Sequence, residues 1–147
     1  MKKKTAKGMP ECRSNCPIAF ALDFVGDKWT LIVLRDLIFS RKRYFQEFLD
    51  SNEKIASNIL AARLKLLEGA GLVTREADPA HARRMIYAPT EKALDLTPAL
   101  LELLLWGTKH HAKANAPQEF VRRAAADRNS LVAELRASNQ ARRAIPR

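Results

Sequence analysis

The stretch from Lys54 to Gly71 constrains this chain more than any other. At about 100° per residue, Ala56, Leu60, Leu64 and Leu67 fall on one side of a helix and Asn58, Ala61, Ala62 and Lys65 on the other. The first face needs a core. The second carries small and polar groups with a cation, so the backbone can approach another surface closely and hydrogen-bond there, as a major-groove reader must. Gly69 and Gly71 suit the end of the helix. Taken alone, the segment fits an ordinary amphipathic surface helix equally well.

Charge separates the two readings. The chain has 147 residues, the length of one domain, and 26 Lys and Arg against 16 Asp and Glu leave a formal charge of +10 and a pI near 10.1. Such a surplus suits a polyanionic partner, most simply nucleic acid. An anionic membrane surface is the competing partner, but no run approaches the roughly 18 apolar residues of a spanning helix. The opening Met1-Lys2-Lys3-Lys4 lacks the apolar stretch of a secretory signal, and the two cysteines, Cys12 and Cys16, make no disulfide framework. The expected location is the cytoplasm.

Residues 1–11 read as a flexible basic tail. Pro17 opens a short apolar helix that ends at Gly26, and Asp27 is the expected N-cap of a second, central helix through Ile38. The connector Arg41-Lys42-Arg43 precedes a short helix over Tyr44 to Leu49, and Asp50-Ser51-Asn52 signals a turn before the opening stretch. Helix, turn and helix in this order form a helix-turn-helix pattern. Leu72–Ala77 and Arg84–Ala88 read as strands around a loop at residues 78–83, a hairpin in the position of a wing. Thr90 or Thr97 starts the next helix, whose leucines and Trp106 are apolar nearly all round; a domain this small cannot hide every face, which predicts a subunit interface. Gln118 to Ala141 has no glycine or proline and reads as a final basic helix or pair of turns. The architecture expected is mainly α with a small β-wing, residues 12–111 forming the DNA-binding and dimerisation domain and 112–147 a basic helical extension.

The motifs Cys16-Pro17, Gly26-Asp27-Lys28-Trp29, Tyr44-Phe45-Gln46-Glu47-Phe48, Asn58 to Glu68, Gly71-Leu72-Val73, Tyr87-Ala88-Pro89-Thr90 and the late Trp106 occur in order. In these, over about Cys16 to His110, the chain resembles the HxlR-type transcriptional regulators, a winged helix-turn-helix group related to the MarR regulators. The resemblance implies a homodimer paired through its N- and C-terminal helices, with Phe20, Leu101, Leu104, Leu105 and Trp106 as interface candidates and two recognition helices reading half-sites of a near-palindromic operator, roughly 34 Å apart. Repression is the expected outcome. It also suggests a thiol or effector response: some members sense oxidants or electrophiles at the cysteine matching Cys16, where a helix N-terminus favours a thiolate, and Cys12 stands nearby; a buried, inert cysteine is the alternative. The chain departs from the family at Ala93, where a glycine is common, at Pro89-Thr90, and at Ala56, where a serine often stands, so that Ser57 is the expected cap.

Base reading falls to Ser57, Asn58, Ala61, Ala62 and Lys65. Asparagine bonds adenine bidentately, lysine reaches guanine acceptors and alanine meets a thymine methyl, a good bidentate contact being worth about 1 to 3 kcal/mol of discrimination. Arg63 projects toward the apolar side, where pairing with a carboxylate competes with phosphate contact. Arg41, Lys42, Arg43, Lys54, Arg83 and Arg84 are phosphate candidates that position without reading sequence. His81, His110 and His111 have no zinc-ligand spacing with the cysteines, and no phosphate-binding glycine loop occurs, so neither an enzyme nor a cofactor or metal is expected. The competing function is a basic, sequence-indifferent nucleic-acid-binding or scaffold protein.

Overall fold

The computed structural model describes residues 14–143; the expected tail at 1–11 and Cys12 lie outside them. The first helix, α1 (Pro17–Val25), starts at the proline whose fixed φ suits a first turn. Asp27 caps α2 (Lys28–Ile38), its Oδ1 accepting from the amides of Trp29 at 3.0 Å and Thr30 at 3.1 Å. At α3 (Phe45–Leu49) the Glu47 carboxylate reaches back to accept from the amides of Arg43 at 2.7 Å and Tyr44 at 2.9 Å. The opening stretch forms α4 (Ser57–Gly69). Past its C-cap at Ala70 the chain turns at Gly71, whose φ of 70° favours a residue without a Cβ, while the Leu72 amide donates to the Leu67 carbonyl at 2.9 Å.

Two antiparallel strands follow, β1 (Val73–Asp78) and β2 (His81–Pro89), paired from Val73 opposite Pro89 to Ala77 opposite Met85. The loop expected at 78–83 contracts to a turn at Pro79-Ala80. The buried Asp78 carboxylate accepts from the Ala80 amide at 2.9 Å and closes the turn locally, so His81, Ala82 and Arg83 extend the second strand. Beyond the hairpin both candidate threonines start helices: Thr90 caps α5 (Glu91–Leu94) and Thr97 opens α6 (Thr97–His110), with Pro98 in its first turn. The Thr90 hydroxyl also donates to the Gly71 carbonyl at 2.7 Å, fastening the base of the wing to the end of α4. The last segment is two helices, α7 (Gln118–Ala126) and α8 (Arg128–Arg143), separated at Asp127, whose carboxylate accepts from the Ser130 amide at 3.1 Å.

The larger core joins Val33, Leu34, Leu37 and Ile38 of α2 to Leu60, Leu64 and Leu67 of α4, with Phe48, Tyr87 and Leu94 around them. Each such side chain, once buried, contributes roughly 1.5 to 3 kcal/mol. A second, smaller core holds Leu101 of α6 against Ala124, Leu131 and Leu135. Phe39 packs on both. The buried Asn139 amide of α8 donates to the carbonyl of Ile38 at 3.1 Å, and Arg136 pairs with Glu91 at 2.5 Å and Asp95 at 2.7 Å. The C-terminal helices thus close over α2, α5 and α6.

Candidate nucleic-acid interface

Leu60, Leu64 and Leu67 bind α4 to the core, which fixes the direction of its other face. Ser57, Asn58, Ala61, Ala62 and Lys65 are all exposed on it. The start of the helix differs from expectation. Ala56 is exposed and serves as the N-cap without a side-chain bond; Ile55 takes the buried place, and Ser57 is the first helical residue instead of the cap. Arg63 is half-buried, its Nε 3.4 Å from the Asp27 carboxylate that caps α2. That Nε makes no hydrogen bond, so the contact is ionic only, and it ties α4 to α2.

The predicted phosphate residues separate into two groups. Lys54 is exposed immediately before α4 with a left-handed φ of 53°, and Arg83 and Arg84 are exposed on β2, the Arg84 guanidinium lying 3.9 Å over the Tyr44 ring. The connector is engaged within the chain. Arg41 donates to the Ser138 hydroxyl at 2.9 Å, and Arg43 is half-buried in a cleft facing α8. Lys42 does not reach outward as expected: its Nζ donates to Asp36 at 2.8 Å and to Ser51 at 2.6 Å, because the buried Asp36 carboxylate requires a cationic partner.

Asp36 is a residue that sequence reasoning missed. It accepts from Arg35, Lys42 and the Ser51 hydroxyl, while Arg35 also grips Glu53 with two hydrogen bonds at 2.5 and 3.0 Å. The end of α2, the connector and the turn before α4 are thereby joined through one charged network. Its bonds to Arg35 hold the Glu53 carboxyl at about 2, against burial, which acts upward, and the Arg35 guanidinium is held above its ordinary range chiefly by Glu53. The signal in the sequence was an aspartate beside Arg35 within the mostly apolar α2.

Cys16 is a free, exposed thiol in the N-cap position of α1. Among the interface candidates Leu101 is wholly buried by α7 and α8 and presents nothing to a partner, because the C-terminal extension covers that side of α6. Leu104 and Leu105 pack partly on the same core. Phe20 and Trp106 are open, at 41% and 66% exposure, and so are Ile18 at 70% and Leu22 at 55% on α1 and Leu103 at 53% on α6. Among the described residues no helix is long and apolar enough to cross a membrane.

Residues 24–115 match the HxlR-like helix-turn-helix family. The chain is 36% identical over 95 residues to the uncharacterized HTH-type transcriptional regulator YdeP of Bacillus subtilis, covering 65% of this chain and 73% of YdeP. An HTH-type regulator of Mycobacterium bovis, 34% identical, is spanned over 60% of its own length. Among solved structures, that of the redox regulator HypR in its oxidized form is 31% identical with a TM-score of 0.59, over 65% of this chain and 98% of that one.

Proposed function

We propose, from the premise that this chain belongs to the HxlR-like helix-turn-helix family, whose curated relatives are transcriptional regulators, that it acts in the cytoplasm as a homodimeric, sequence-specific DNA-binding repressor. The observation that carries this reading is the division of α4: three leucines lock it into the core while Ser57, Asn58, Ala61, Ala62 and Lys65 stand free on the opposite side. In the major groove, Asn58 and Lys65 supply hydrogen bonds to base edges, and the two alanines allow close approach and contact with thymine methyls. Lys54, Arg83 and Arg84 hold phosphates on either side. Arg41, bonded to Ser138 of α8, and Arg43, half-buried facing α8, contribute to the field more than to direct contact.

The second copy packs on the apolar surface left open by α1 and by Leu103 and Trp106 of α6. Pairing there sets the separation of the two reading helices. Control enters through Cys16, an accessible thiol on α1, as the description of HypR as a redox regulator suggests, or through a bound effector.

Competition binding tests the reading. The dimer is expected to shift DNA from upstream of its own gene at concentrations where a large excess of random duplex does not compete. Equal competition by random duplex would instead assign the protein to sequence-indifferent binding. For the thiol, an electrophile is expected to release DNA from the wild type and not from Cys16→Ser; indistinguishable curves would remove Cys16 from the mechanism.

A further inference from the structure

The antiparallel register places Thr74, Glu76, Ile86 and Ala88 on one face of the hairpin, opposite the face that sends Tyr87 into the core. The last turns of α8 lie across this outer face, and between them is a cleft of about 530 Å³. Its polar end holds Arg43, Gln140, Arg142 and Arg143; Ile86, Ala88 and Pro79 give it an apolar wall. Three arginines against the single carboxylate of Glu76, which is itself engaged, leave the lining cationic. Gln140, Arg142 and Arg143 lie beyond the residues that match the family, so this part of the lining is supplied by the C-terminal extension.

Arg43 is the group that most needs an explanation. Its guanidinium makes no hydrogen bond or ion pair among the described residues, although it is half-buried. Burial first, and then the like charge of Arg142, hold it below its ordinary range, outweighing the attraction of Glu47. Arg142 is kept near by its own bond to the Arg41 carbonyl at 3.1 Å. Two guanidiniums therefore line one cavity, and among the described residues no carboxylate pairs with either, an arrangement suited to capture of a carboxylate or phosphate group.

We propose that this cleft is a binding site for a small organic anion, its carboxylate or phosphate held between Arg43 and Arg142 and its apolar body against Ile86 and Ala88. Calorimetric titration of the full chain tests it, with phenyl phosphate and benzoate as probes and inorganic phosphate as the charge-only control. At least one organic probe is expected to bind at one site per chain, at least tenfold tighter than inorganic phosphate. Arg43→Gln and Arg142→Gln, each verified as folded by circular dichroism, are expected to weaken it at least tenfold, while Arg122→Gln, exposed on α7 and outside the cleft, leaves it unchanged; of the two cleft variants, Arg142→Gln at the end of α8 is the safer for folding. The proposal is overturned by unchanged binding in both cleft variants, by an equal loss in Arg122→Gln, or by inorganic phosphate matching the organic probes, any of which would mean diffuse attraction of anions to a basic surface. A random duplex that displaces the probe would assign the cleft to DNA backbone and equally overturn it.

Discussion

On α4 the boundary between the face that holds the fold and the face proposed to meet DNA passes between residues two apart. Leu60 is fully buried in the larger core, and Asn58 is exposed. Leu60→Ala is expected to lower the free energy of unfolding by about 2 to 5 kcal/mol in urea denaturation, since the core around it is too closely packed to collapse fully onto the vacancy. Asn58→Ala removes no packing and should leave stability within about 0.5 kcal/mol. Its effect belongs to recognition: a loss of about 1 to 3 kcal/mol in the preference for operator over random DNA, read from the ratio of the two dissociation constants. Equal weakening on both DNAs would take Asn58 out of the reading set. Arg63 has a structural place beside the α2 cap, which its position on the apolar side of the helix had left open against phosphate contact.

At the scale of elements, the turn before α4 depends on charge more than on apolar contact. Arg35, Asp36, Lys42, Ser51 and Glu53 fasten it to α2. Glu53 titrates at about 2 in the folded chain against an ordinary carboxylate value of 4.5. A depressed folded value means that the carboxylate stabilises the fold fully above the ordinary value and loses this contribution as pH falls through the folded one. The Tm of Glu53→Gln should therefore lie below that of the wild type at pH 6, and the gap should close between about pH 4.5 and pH 2. A gap that stays constant over this range would show that the bond to Arg35 does not stabilise the turn.

The helices and the wing were legible because their apolar periods change from helical to alternating at Gly71, and because Asp27, Thr90 and Thr97 punctuate the chain. Three local features were not. Lys42 stands in a basic triplet and has the same sequence signature as a phosphate ligand, yet its partner Asp36 comes from a helix before it in the chain. The wing turn is set by one aspartate accepting a bond from two residues on, which shortens a loop that composition alone made longer. The break at Asp127 occurs without glycine or proline, and it forms because that aspartate caps the following helix.

For the whole molecule, the C-terminal extension decides which apolar surface stays open. By burying Leu101 it removes one side of α6 from pairing and leaves Trp106 and Leu103 with the exposed residues of α1. If the proposed pairing holds, Trp106→Glu should shift the protein from dimer to monomer in size-exclusion chromatography with light scattering, with little change in helix content, because a carboxylate at this exposed position stays hydrated in the single chain and is buried unpaired only when a second apolar surface covers it. A formal charge of +10 also predicts that the logarithm of DNA affinity falls linearly with the logarithm of salt concentration, with a slope near −0.9 for each phosphate neutralised. Hydroxyl-radical footprinting of the wild-type protein on DNA from upstream of its own gene tests the central claim most directly. Two paired α4 helices predict two symmetric protected windows, centred about one helical turn apart or a whole multiple of it; protection that is continuous, or that appears equally on random DNA, would contradict it.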